Sequence, residues 1–193
     1  CVSTSFGSRY ETVVADMKAA AAFVLMPRAG TIDETAATAG PAPVVLAKGS
    51  EAIDVVVRRG PEVKRADSTT TFRPGDELRF VVFPGEASHA LLVGIDARGT
   101  TSVYAPFDGT TSLALPPGPR AELPGSIVLD DAPGPERLYL LLSRQPIRLD
   151  TVKPALDVVA AGGPDALRKV EKLALPEGVT QVTRLLEKPA VVP

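Results

Sequence analysis

Tryptophan is absent from this chain, and cysteine and histidine occur once each, as Cys1 and His89. One cysteine excludes an intramolecular disulfide. Two residues of the Cys/His kind are too few for a structural zinc site, so no metal is expected. A Ser-His-acid triad would have to use His89. Its neighbour Ser88 is expected on the opposite face of a strand, out of hydrogen-bonding reach. No glycine-rich phosphate loop of the G-x-x-x-x-G-K kind is present, and no cofactor is expected. Charge of one sign is also missing: 21 basic against 23 acidic residues leave a net charge of −2, without the basic face that nucleic acid requires. Aromatic residues make up only 5% of the chain, while hydrophobic residues make up 45%. The chain therefore folds, around an aliphatic core.

The first 50 residues differ from the rest. Thr12 to Met26 is an Ala-rich helical stretch stopped by Pro27. Its apolar run, Ala19–Met26, falls short of the roughly 20 residues that span a bilayer. It is read as a remnant of a membrane anchor or a short helix. Residues 28–50, rich in Ala, Gly, Thr and Pro, read as a flexible linker. Cys1, followed by Val2-Ser3-Thr4-Ser5, resembles the mature end of a bacterial lipoprotein, which makes Cys1 a candidate for lipidation; the alternative is a chance boundary.

Residues 51–193 read as one β domain. Ile53–Arg58 and Val63–Ala66 form a strand pair around the Gly60-Pro61 turn. Leu78, Phe80 and Val82 alternate onto one side of the next strand. Ala90–Ile95 and Arg137–Ser143 are apolar at both parities and are expected to be central strands covered on both faces. Gly94 inside the first of these signals a bulge or a close backbone approach. Asp96–Gly99 is a hairpin connection, with Gly99 at positive φ. Four prolines make 112–126 an irregular loop, whose Leu113, Leu115 and Leu123 either cover a sheet edge or present an apolar surface to a partner. A helical insertion over 150–174 carries Val152, Ala155, Leu156 and Val159 at helical spacing, ends at Gly162-Gly163, and continues in a second helix from Pro164 to Leu173. Residues 179–187 return as the final strand. The expected fold is mainly β, an antiparallel sandwich of about eight strands with two short helices near the C-terminus.

Two charged groups stand out. Arg58, Arg59, Lys64 and Arg65 form a basic cluster, read as a solvated strand pair with a phosphate or anionic-lipid contact as the alternative. Asp130-Asp131 with Glu136 reads as a solvated acidic loop, with Ca²⁺ binding as the alternative.

Arg73-Pro74-Gly75-Asp76, then Leu78-Arg79-Phe80, then Leu91–Gly99, then Val103-Tyr104-Ala105-Pro106, and finally Gly134-Pro135-Glu136 before Leu138–Leu142 make an ordered pattern. It resembles a bacterial module known only as a domain of unknown function. The match covers about Ala52 to Ile147, closing on Ser143-Arg144-Gln145-Pro146. Leu175–Val179 and Leu185–Lys188 are similar to a myxobacterial-type version that follows a membrane segment and a zinc-finger, anti-sigma-like region. The resemblance marks Gly75, Asp76, Asp96, Gly99, Tyr104, Pro106 and Glu136 as motif positions. It implies an extracytoplasmic β-sandwich on a membrane protein and no catalytic residue. Residues 1–50 hold no Cys/His finger. The functional expectation is a non-enzymatic binding, sensing or scaffold module tethered to the envelope, whose partner is an envelope protein or a small ligand. The alternatives are the outer domain of an anti-sigma-like regulator, and a hydrolase using loop carboxylates.

Overall fold

A computed structural model of the protein describes residues 52–189. Cys1, the helix expected before Pro27 and the linker lie outside the described residues. The elements run β1 (Ala52–Arg59), β2 (Glu62–Arg65), β3 (Glu77–Phe83), β4 (His89–Ile95), β5 (Thr101–Ala105), β6 (Leu113–Ala114), β7 (Ala121–Glu122), β8 (Ile127–Val128), β9 (Gly134–Ser143), α1 (Leu149–Ala161), α2 (Gly163–Lys169) and β10 (Val179–Lys188). The strands form two antiparallel sheets. One has the order β2-β1-β3-β7, with β8 also on β3; the other has the order β10-β9-β4-β5, with β6 also on β4.

The alternation of β3 decides how the sheets face. Leu78, Phe80 and Val82 register with Val57, Val55 and Ile53 of β1, and all six are buried between the sheets. They meet Ala90 and Leu92 of β4, Leu138, Leu140 and Leu142 of β9, and Leu186 of β10. The opposite parity of β4 and β9 builds a second core: Leu91, Val93, Ile95, Tyr139 and Leu141 pack under Val152, Leu156 and Val159 of α1 and Leu167 of α2. The unbroken apolar runs of β4 and β9 thus have a simple cause, because both faces of the middle sheet are covered.

Pro154 sits inside α1, where it cannot donate to the carbonyl of Asp150. An interior proline costs a helix about 3 kcal/mol. Three buried side chains at roughly 1.5–3 kcal/mol each outweigh that, so packing holds the helix where propensity would break it. Gly163 takes φ +64° at the junction of the helices. The second helix ends at Lys169 rather than at Leu173. Arg137 accounts for this: its guanidinium, buried against the helices, donates to the carbonyls of Leu167 and Arg168, and the Tyr139 hydroxyl donates to that of Val170 (2.8 Å). These side chains from β9 satisfy carbonyls left open by a short helix, and the chain from Val170 on is free to turn back toward β10.

The loop over 112–126 takes the first of its two readings, cover for the sheets. Leu115 and Leu123 are buried and Leu113 packs against the first core, so they line the interior and offer no surface to a partner. The prolines break the segment into the two-residue strands β6 and β7, which pair with β4 and β3.

Candidate functional site

The motif positions separate into three places. Gly75 turns the chain at φ +83°, and Asp76, fully buried, opens β3. Its two carboxylate oxygens accept from Nε and Nη2 of Arg59, both at 2.7 Å, and one also accepts the Arg73 backbone N–H at 2.8 Å. Burial alone would raise the Asp76 pKa, but the Arg59 guanidinium and the Arg73 N–H outweigh it and hold the carboxyl below its ordinary range. Asp96 and Gly99 close the β4–β5 hairpin. The Asp96 carboxylate accepts the N–H groups of Arg98 and Thr100, and Gly99, at φ +79°, passes so near α1 that a Cβ would lie 2.9 Å from the Ala160 carbonyl oxygen. Both are turn residues, as their spacing suggests.

Tyr104 and Glu136 come together in the third place. They lie 32 residues apart, and the Tyr104 hydroxyl donates to Glu136 Oε1 at 2.6 Å. Burial, followed by the neighbouring Glu136 charge, pushes the phenol far above its ordinary pKa, so it keeps the proton that it donates to Glu136. Gly94 makes the room. A Cβ there would run into the Tyr104 ring and stand 2.9 Å from Glu136 Oε1. The close approach foreseen at Gly94 is therefore the seating of this pair, and the β4–β5 register shifts between Leu92 and Val93 beside it.

Lys188, at the end of β10, completes the group. Its side chain is 2% exposed, and its ammonium lies 2.9 Å from Asp130 Oδ1 and 3.5 Å from Glu136 Oε2. Glu136 is 4% exposed and Asp130 is 58% exposed, so the group reaches solvent through Asp130. The hydrogen bond from Lys188 holds the Asp130 carboxyl below its ordinary range. Two of the three acids considered for Ca²⁺ do converge, but on a lysine. Among the described residues no group of three or more His, Cys, Asp or Glu could hold a metal ion. In the sequence Lys188 figures only as the end of the Leu185–Lys188 resemblance, with no partner assigned, since a lysine near a strand end normally reads as solvated.

Pro106 follows Tyr104 in a turn where Gly109 donates to the Pro106 carbonyl at 2.9 Å and Phe107 stands 77% exposed. Ser88 and His89 differ from expectation. Ser88 precedes β4 instead of lying in it, so strand parity does not separate the two, and Ser88 Oγ lies 3.1 Å from His89 Nδ1. The same hydroxyl donates to the Arg144 carbonyl at 3.0 Å. Among the described residues no carboxylate is bonded to His89 to orient it as a base.

The basic cluster does not behave as one surface. Arg58 pairs with Glu77, Arg59 with Asp76 and Arg65 with Asp54. Asp54 is buried, and that burial raises its pKa against the opposing charge of Arg65. Beside these pairs lies a polar depression of about 260 Å³, walled by Arg59, Lys64, Arg65 and Arg73 and by the loop of Asp67 and Thr69–Thr71. A second depression of about 520 Å³ lies at the start of α1, between Thr110, Arg148 and Lys153. Each holds one carboxylate, Asp67 and Asp150, so neither presents the facing acid pair that carboxylate hydrolysis needs. Among the described residues no helix is long and apolar enough to cross a membrane. In comparisons with known proteins, no family model, no curated protein and no solved structure matches this chain.

Proposed function

We propose that the domain is a non-enzymatic binding or sensing module, tethered to the cell envelope on its extracytoplasmic side and engaging an envelope protein or a small ligand. The observation that carries the non-enzymatic part is Lys188. Buried ionisable groups of the described fold satisfy one another: the Lys188 ammonium stands between buried Glu136 and the more exposed Asp130. Two further acids, Asp76 and Asp54, are held by arginines. Charges arranged in this way join strands that are distant in sequence, and they leave recognition to the surface. Support for the compartment comes from the sequence, in the ordered motif between Arg73 and Glu136.

Fractionation of cells expressing the gene from its own locus tests the reading. A membrane-associated pool that external protease digests after the outer layers are opened is the expected result. A wholly cytosolic, soluble pool overturns both tether and compartment. The coding sequence upstream of Cys1 separates the two forms of tether: a signal ending in a lipobox makes the chain a lipoprotein, and a Cys/His finger with a membrane segment makes it the outer part of an anti-sigma-like regulator.

A further inference from the structure

The depression beside β2 has walls of a different kind from the rest of the charged surface. Asp76 fixes the Arg59 guanidinium with two hydrogen bonds, and a third runs from Arg59 Nη2 to the Thr71 carbonyl at 3.0 Å. Arg65 is anchored on Asp54. Asp67, the one carboxylate in the walls, is turned to its own loop, where Oδ1 accepts from the Thr69 N–H (2.8 Å) and from the hydroxyls of Thr69 (2.8 Å) and Thr70 (3.0 Å). Lys64 and Arg73 remain. Both are exposed, and neither has an ion-pair partner among the described residues.

The register explains why the cations gather. Lys64 lies opposite Val57 and Glu62 opposite Arg59, so Lys64 and Arg59 share the face that carries the core farther along β1. On β1 the core ends at Val57, opposite Lys64; past it this face is continued by Arg59 and Glu62, and the 67–73 loop closes it. The space of about 260 Å³ is the liquid volume of roughly nine waters, enough for a phosphate group that keeps part of its hydration. A fixed guanidinium, an exposed guanidinium and an exposed ammonium form a donor set that suits tetrahedral oxyanions.

We propose that this depression binds a phosphate-type oxyanion, with Lys64 and Arg73 as its exposed donors and Arg59 as its fixed wall. The proposal does not rest on the envelope reading, because binding is measured on purified protein whatever the compartment.

The test follows backbone amide shifts of the full chain by NMR during titration with inorganic phosphate at low salt, and runs a second arm with vesicles of phosphatidylglycerol or phosphatidylcholine. The expected result is a saturable shift centred on Thr69–Arg73 that weakens as salt is raised. In Lys64→Gln/Arg73→Gln, affinity should fall at least about tenfold, the equivalent of one charge-assisted hydrogen bond, with an unchanged amide spectrum elsewhere. If phosphate shifts these amides and phosphatidylglycerol vesicles do not bind, the source is a soluble phosphate. If the vesicles bind and the double variant releases them, the source is a lipid headgroup. The proposal is overturned if neither ligand perturbs Thr69–Arg73, or if the double variant binds as the native chain does.

Discussion

Lys188 and Lys64 both sit on strands at sheet edges, and both stand among arginines, acids and hydroxyls, yet their surroundings give them different roles. Lys188 is 2% exposed and held between Asp130 and Glu136, while Lys64 is exposed and without an ion-pair partner among the described residues. The contrast follows from where each face of its sheet leads. Lys188 has the parity of Leu186, so it points between the sheets, where Glu136, itself held by the Tyr104 hydroxyl, receives it. Lys64 has the parity of Val57, but β2 is a four-residue edge strand whose end extends past the core. A charge drawn into the fold must find partners, whereas a charge left at the rim is available for a ligand.

The most direct way to break the comparison is Lys188→Met. It strands the Glu136 carboxylate in a site 4% exposed, and removal of one partner from a buried pair costs about 3–5 kcal/mol. Urea denaturation should show that loss, and Glu136→Gln in the same chain should recover part of it. A loss below about 1 kcal/mol would mean that Lys188 does not stabilise the buried end of β9.

Gly94→Ala probes the same group from the other side. The added methyl meets the Tyr104 ring and Glu136 Oε1, and overpacking of this kind costs about 1–3 kcal/mol. Gly60→Ala serves as a reference. A Cβ at Gly60 meets nothing within 4 Å, so only its φ of +56° opposes the change, at about 1 kcal/mol. Thermal midpoints of the two variants should fall in that order. Equal midpoints would show that the seat of Tyr104 yields easily.

How much of this was legible in the sequence depends on the range of the interaction. The alternation of Leu78, Phe80 and Val82, and the two-faced runs of β4 and β9, are local patterns that burial imposes, and they carried the sandwich and its central strands. Gly94 signalled a close approach without naming what approaches. Tyr104 and Glu136 were marked as motif positions, but the hydrogen bond between them spans 32 residues and that from Lys188 to Glu136 spans 52, distances at which no periodicity speaks. The sequence leaves Leu115 and Leu123 between sheet-edge cover and partner surface, because the prolines around them forbid a regular ladder but not burial; they are buried. Ser88 was judged by strand parity one residue before the strand begins.

Acid titration separates the charged groups by sign. Asp76 and Asp130 both have depressed pKa values in the fold, the first through Arg59 and the Arg73 N–H against the effect of burial, the second through Lys188. A carboxylate depressed on folding stabilises the fold above its unfolded pKa, near about 4, and that stability is lost as pH falls through the folded value. Asp54 has the opposite shift, from burial, and therefore weakens the fold as pH rises from its unfolded pKa through its folded one. Denaturation midpoints should accordingly fall as pH drops below about 4, and Asp76→Asn should flatten that fall. An unchanged acid limb in Asp76→Asn would show that the Arg59 pair is not coupled to folding.

The smallest expected effect sharpens the comparison most. Lys64→Gln/Arg73→Gln removes two charges as large as the one on Lys188, but from exposed positions that no ion pair holds. The Arg73 backbone N–H, which is what Asp76 uses, stays in place. Exposed substitutions of this kind change stability by less than about 0.5 kcal/mol. Lys64 also faces Asp67, and Arg73 faces Asp76, so attraction and repulsion oppose each other and any change should shrink further as salt is raised. If urea denaturation instead gave a loss of about 2 kcal/mol or more, Lys64 and Arg73 would be structural charges of the same class as Lys188. A near-zero change, set beside the loss in Lys188→Met, would place the boundary between framework and ligand surface at Val57, where the core ends and the strands of the first sheet continue without it.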